Sequence, residues 1–167
     1  MVQTLTFKTL YVLLFIAHGR RDLVRLAVTA HPTAAWVWRQ LVEATPWGRR
    51  PTHFLRDRDA VYGGAFRRWA QGLGIETALT PVRAPRANAI AERVIGSIRR
   101  ECLDHLIPLD EAHLRTILAE YLAYYNVERP HRTLRLDTPL PAARSPAGAV
   151  HARPVLGGLH HAYARAA

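Results

Sequence analysis

Cysteine, lysine and methionine occur once each in this 167-residue chain. A single cysteine, Cys102, excludes an internal disulfide framework and fits a reducing compartment. Its place in a helical pattern marks it as a small buried hydrophobe rather than a reactive thiol. Long apolar runs are also missing. Leu10 to Ala17 follows Lys8 in the manner of a signal peptide, but it is far shorter than the roughly 20 residues that span a bilayer. It has no small-residue cleavage site, and after Gly19 the chain turns into a second strand-like run, so it reads as a buried strand. A membrane is not expected as a partner. There is no Gly-rich phosphate loop, no G-x-S-x-G and no paired catalytic cysteine, and a small-molecule cofactor is not expected either. The nine histidines form no H-E-x-x-H or Cys/His cluster, which argues against structural zinc. His160 and His161 are adjacent and point to opposite sides of any regular element.

What the chain has is positive charge. It carries 23 basic against 13 acidic residues, a net charge of +10 and a pI near 10.9. All the basic residues except Lys8 are arginine, a skew that with the abundant Ala and Pro also fits a GC-rich coding bias. Such a balance favours a polyanionic partner, nucleic acid above all. A hydrophobic content of 49% over this length suits one soluble domain with a proper core.

The patterning alternates between strands and helices. Two apolar runs, Thr6 to Ala17 and Leu23 to Thr29, flank a short polar segment containing Gly19, a hairpin signature. Thr33 is placed to cap a helix over 34–44. A short strand from Thr52 to Arg56 ends at Asp57, and Phe66, Trp69, Ala70 and Leu73 then recur at helical spacing. Gly74 stops that helix before another short strand, Glu76 to Thr80. A Pro-rich loop over 81–88 leads into a helix over 89–105, and Asp110 caps a strongly amphipathic helix that runs to Tyr125. Beyond residue 139 no periodicity survives. That segment reads as a Pro/Ala/Arg-rich, loosely held tail with one short docked stretch between Pro154 and Tyr163. The order predicts an α/β layer fold with a mixed sheet.

Two segments carry more specific information. Tyr125 to Pro139 reads Y-N-x-x-R-P-H-x-x-L-x-x-x-T-P, and Thr80 to Arg93 reads T-P-V-R-A-P-R-A-N-A-x-x-E-R, with 34 residues separating Asp57 from Glu92. Together they resemble the integrase core of bacterial insertion-sequence transposases, the Asp-Asp-Glu (DDE) enzymes of the retroviral-integrase type. The resemblance implies a ribonuclease-H-like mixed sheet flanked by helices over residues 1–139, with 140–167 as the tail. It also implies a bacterial cytoplasmic setting and metal-dependent phosphoryl transfer on DNA. It makes Asp57 the second catalytic carboxylate and Glu92 the third, both ligands of Mg²⁺ or Mn²⁺. Two-ion catalysis at a phosphodiester needs about three such carboxylates on rigid elements. Asp59 competes with Asp57 but lies further from the apolar strand. Taken singly, Asp57 is as readily a turn residue and Glu92 a solvated helix residue; the pairing inside these segments carries the reading.

In the resembling enzymes the first Asp stands on the first, central strand. Here the only acidic residue before Glu43 is Asp22, in the hairpin turn. The chain therefore opens just after that carboxylate, and the expectation is an incomplete central strand, a sheet split at that position and impaired activity unless the missing Asp is supplied. The expected partners are element-end and target DNA and further copies of the chain. Arg83, Arg86, Asn88, Arg93, Arg99 and Arg100 form the densest basic group near the proposed site, with Arg129 and His131 as further candidates for DNA contact. For the last two, packing is an equal alternative; Tyr125 and Asn126 lean structural. The competing functions are a degenerate, non-catalytic transposase remnant that binds DNA or a full-length partner, and a nuclease of the same fold.

Overall fold

Alternation along one strand sets the layers of this molecule. In β2 (Thr9–Ile16), Leu10, Val12 and Ile16 join one core, while Leu13 and Phe15 join another on the opposite face. A computed structural model describes residues 1–45, 51–57, 64–80, 89–143, 145 and 147–166. A two-residue strand, β1 (Val2–Gln3), pairs antiparallel with the start of β2, Val2 opposite Leu10. β3 (Leu23–Thr29) pairs antiparallel along the rest of β2 as the expected hairpin, with a register shift between Phe15 and Ile16.

One face of this hairpin is covered by α1 (Ala34–Ala44). The Thr33 hydroxyl accepts a hydrogen bond from the Trp36 N–H at 3.1 Å, the cap expected from sequence. β4 (His53–Arg56), α2 (Gly64–Gly72) and β5 (Glu76–Leu79) follow, and β4 and β5 run parallel, as a crossover through a helix allows. Val37 and Leu41 of α1 meet Phe15, Phe66, Ala70 and Ile75 in one core, with Trp38 edge-on to Phe66.

The other core is larger. α3 (Ala89–Ile98) continues into a π-helical turn, Arg99–Leu103, and α4 (Glu111–Ala123) continues into another, Tyr124–Glu128. The Asp110 carboxylate caps α4 by accepting from the His113 N–H at 2.8 Å. Val94, Ile98, Leu114, Ile117, Leu118 and Tyr121 pack here with Leu10, Leu23 and Val28 of the hairpin. Cys102 is fully buried in the same core. Burial raises its thiol pKa to about 12, with the Glu120 carboxylate adding to the effect, so it stays protonated and inert.

The last part of the chain is more regular than its composition suggests. β6 (Val150–Val155) and β7 (His160–Arg165) form an antiparallel hairpin. Val155, Leu156 and Ala162 enter the larger core, and the Leu156 N–H donates to a Glu120 carboxylate oxygen at 2.7 Å. Leu156, Gly157 and Gly158 all take positive φ in the turn, and the two glycines do so without a Cβ penalty, which helps a segment without apolar periodicity to reverse here. The docked stretch expected between Pro154 and Tyr163 lies within this hairpin.

Among the described residues the strands do not join into one sheet: β1, β2 and β3 form one, β4 and β5 a second, β6 and β7 a third. Between β2 and β4 lies a cavity of about 1030 Å³. The split expected from sequence falls at this position.

Candidate active-site cleft and the clasp behind it

The cavity between the two sheet fragments collects the residues nearest the proposed chemistry. Asp57 follows the last residue of β4 and lines it, the position where an open α/β sheet presents a site. Ile90, Ala91 and Ile95 of α3 line it too, so the helix that carries Glu92 faces the same space. Glu92 sits in the first turn of α3, where the positive end of the helix dipole favours a carboxylate. Asp57 and Glu92 are both exposed. Among the described residues no group of three or more His, Cys, Asp or Glu side chains is assembled for a metal ion. The donors present therefore fit at most part of a hard-cation site, with Asp57 lining the cleft and Glu92 on a helix that borders it, and not a complete two-ion cage.

The basic candidates divide by position. Arg93, Arg99 and Arg100 are exposed on α3 and its π-helical extension. Arg100 folds back over Gly96, where an added Cβ would meet its guanidinium at 2.9 Å. Arg99 lies close enough to the terminal amine of Met1 to reinforce burial in lowering its pKa. Arg83, Arg86, Asn88 and the competing Asp59 lie outside the described residues.

Arg129 and His131 face inward. Arg129 donates from Nε and from its terminal nitrogen to the two carboxylate oxygens of Glu101, at 2.7 and 2.5 Å. The same carboxylate accepts from the Tyr121 hydroxyl at 3.0 Å. Burial alone would raise the Glu101 pKa, but the Arg129 hydrogen bonds and charge, aided by Tyr121, leave it lowered. His131 is buried edge-on to Tyr125, its Nε2 3.0 Å from the Tyr125 carbonyl. Its pKa is lowered, by burial first and also by the Arg129 charge, against the opposing pull of that carbonyl. The neutral imidazole therefore donates from Nε2.

The rest of the motif grips the β2–β3 hairpin. Asn126 is buried; its side-chain carbonyl accepts from the Leu23 N–H at 2.9 Å and its amide donates to the Leu23 carbonyl at 2.8 Å. From the hairpin turn, Arg20 donates to the Asp137 carboxylate at 2.6 Å and to the carbonyls of Thr138 and Pro139 at 2.7 and 2.8 Å. Arg21 reaches the Thr133 hydroxyl at 3.1 Å. Thr138 and Pro139 are fully buried. The Y-N-x-x-R-P-H…T-P segment is thus a clasp joining α4 to the hairpin turn and to Glu101. Sequence reasoning passed over Arg20, Glu101 and Tyr121. No local pattern links them to the motif, since Arg20 and Asn126 are more than a hundred residues apart.

His160 illustrates the same point on the C-terminal hairpin. It stacks on Tyr124 with ring centroids 4.8 Å apart, and its Nε2 lies 2.6 Å from the Glu101 carbonyl. His161 is exposed on the other face of β7, beside Tyr163.

Helices on both sides of a strand layer, in this order of elements, make a ribonuclease-H-like fold. Residues 73–139 match the family described as "Integrase core domain". The chain is 33% identical over 112 residues to the uncharacterized 39.2 kDa protein of insertion element IS476 from Xanthomonas euvesicatoria, covering 66% of this chain and 32% of that protein. It is 32% identical over 90 residues to the putative transposase InsD of insertion element IS2E from Escherichia coli K12, covering 53% of this chain and 41% of that protein. The chain thus spans between about a third and two fifths of these relatives' length. Among solved structures, a chain of the simian T-cell lymphotropic virus intasome superposes with a TM-score of 0.62 at 16% identity, covering 94% of this chain and 60% of that one. The HTLV-2 integrase catalytic core, solved with magnesium in a trimeric form, gives 0.59 at 12% identity, covering 75% and 80%. The BIV integrase catalytic core gives 0.58 at 15%, covering 77% and 81%. These likenesses establish the fold.

Proposed function

We propose that this chain is the catalytic-core portion of a DDE transposase that joins DNA ends to target DNA. The observation that carries this is the cleft itself, with Asp57 at the end of β4 on one wall and the Glu92-bearing helix on the other. Asp57 and Glu92 would hold a divalent cation there, Mg²⁺ or Mn²⁺. Such an ion supplies the Lewis acidity that displacement at a phosphodiester uses. The residues' own tasks are to offer hard oxygen donors and to sit on rigid elements beside a phosphate. Exposed Arg93, Arg99 and Arg100, on α3 and its π-helical extension, would hold the backbone of the DNA. A multimer on DNA is the working form in this reading, by analogy with the intasome and the trimeric integrase core among the fold relatives.

With two carboxylates in place of three, the 167-residue chain should bind Mn²⁺ weakly and nick supercoiled plasmid poorly. Both should improve when a third Asp is supplied from the strand position between β2 and β4. Asp57→Asn and Glu92→Gln should each abolish the Mn²⁺ signal in titration calorimetry. Binding that survives both changes would remove the metal role of these residues. The second reading, a non-catalytic remnant that only binds DNA, is favoured if duplex binding persists while no arrangement that restores a third carboxylate yields metal-dependent nicking.

A further inference from the structure

The C-terminal hairpin has two faces, and the core occupies one of them. Residues paired across β6 and β7 share a face, so Val155 and His160 lie on the side that carries Arg153 and Ala162. On that side Val155 and Ala162 are buried, His160 is stacked on Tyr124, and Arg153 pairs with Glu128 at 3.7 Å. The other side carries His161, Tyr163 and Arg165 of β7, opposite Pro154, Ala152 and Val150 of β6. All six are exposed, with Tyr163 at 65%.

The two strands contribute different chemistry to this outer face. β7 sets two aromatic rings and a guanidinium at alternate positions, about 6.7 Å apart along the strand. β6 offers only small apolar side chains, which leave the rings uncovered. The rings of His161 and Tyr163 have centroids 6.4 Å apart and planes inclined by 36°, too far for either to cover the other, unlike Tyr124 and His160 at 4.8 Å. No carboxylate stands in the hairpin, and none follows Asp137 in the chain. Tyr163 and Arg165 also border a hollow of about 330 Å³ that reaches Val127, Glu128 and Ala142. The Glu128 carboxylate there is offset by Arg153.

A row of open rings ending in a guanidinium, beside a hollow of ligand size, fits a flat aromatic group that carries negative charge. A nucleotide is such a group. Base pairing hides the base faces inside the duplex stack, so only an unpaired strand can lay bases on these rings while a phosphate reaches the arginine. We propose that the outer face of the β6–β7 hairpin binds single-stranded DNA. Bases stack on Tyr163 and His161, one of them seated in the hollow, and Arg165 holds the adjoining phosphate. The choice of DNA over RNA rests on the proposed function; the preference for an unpaired strand rests on the exposed rings.

The test uses the whole chain in EDTA, so that strand binding is read apart from metal-dependent nicking. The affinity for a fluorescein-labelled oligo-dT of about twelve nucleotides, followed by anisotropy, should fall about tenfold with Tyr163→Ala and be kept with Tyr163→Phe. Arg165→Gln should flatten the salt dependence of log K by about 0.7, the effect of one phosphate on a single strand. An abasic strand of the same length, which keeps the phosphates and lacks the bases, should bind Tyr163→Ala and the parent chain alike, and so should a duplex. Tyr163 belongs to neither core, so equal melting temperatures separate lost stacking from lost folding. Oligo-dT binding unchanged by Tyr163→Ala overturns the proposal, as does an equal loss on the abasic strand or the duplex. Tighter binding of oligo-rU than of oligo-dT overturns the assignment to DNA. If nicking fails with every metal while the oligo-dT results hold, the proposed function falls and the strand site stands.

Discussion

Asn126 shows how one side chain can decide where two distant elements meet. Its amide satisfies both backbone groups of Leu23, which are buried at the entry to β3. Asn126→Ala leaves the Leu23 N–H and C=O without that partner, at about 1–3 kcal/mol for each buried orphan. Chemical denaturation should show a loss of about 3 kcal/mol with an unchanged m-value; a loss under about 1 kcal/mol would mean that water replaces the amide. His131 makes the clasp sensitive to pH. Its folded pKa lies below the ordinary 6.5, so its contribution to stability is complete above about pH 6.5 and is lost as pH falls through the lower folded value. Glu101, lowered from 4.5, has the same sign in a more acidic window. Melting temperature should therefore fall in two stages on acidification, and His131→Gln should remove the upper stage alone.

At the scale of elements, the C-terminal hairpin is a structural part of the larger core. Val155, Leu156 and Ala162 are buried, Leu156 is tied to Glu120, and His160 covers Tyr124 and the backbone of Glu101. Burying a Val or Leu side chain is worth about 1.5–3 kcal/mol. Ending the chain at Ala149 should therefore cost about 3–5 kcal/mol and expose surface that binds a hydrophobic dye. An unchanged melting temperature would show that the hairpin only rests on the core. Sequence patterning located α1, α4 and the β2–β3 hairpin to within a few residues, because each has a capping side chain or a long apolar period. It did not reveal β6 and β7, whose register comes from glycine turn geometry and from docking on α4.

For the whole molecule, charge dominates the expected behaviour. A net charge of +10 predicts binding to duplex DNA that is governed by phosphate contacts. With about four phosphates neutralised, log K should fall against log salt with a slope near −3.6. Replacing Arg93, Arg99 and Arg100 together by Gln should flatten that slope by about 2 to 3, read by fluorescence anisotropy. If the slope is unchanged, DNA lies on another face.

Composition, apolar periodicity and two short motifs were sufficient to indicate the order of elements and the α/β class and to nominate Asp57 and Glu92 as candidates. These are properties of local pattern, and local pattern is written in consecutive residues. The inward turn of Arg129 and His131 and the grip of Asn126 on Leu23 were decided only in three dimensions. Each depends on which backbone groups lack a partner once distant segments have packed. Such pairing, 28 residues apart for Arg129 and Glu101 and 103 for Asn126 and Leu23, leaves no periodic trace in the chain.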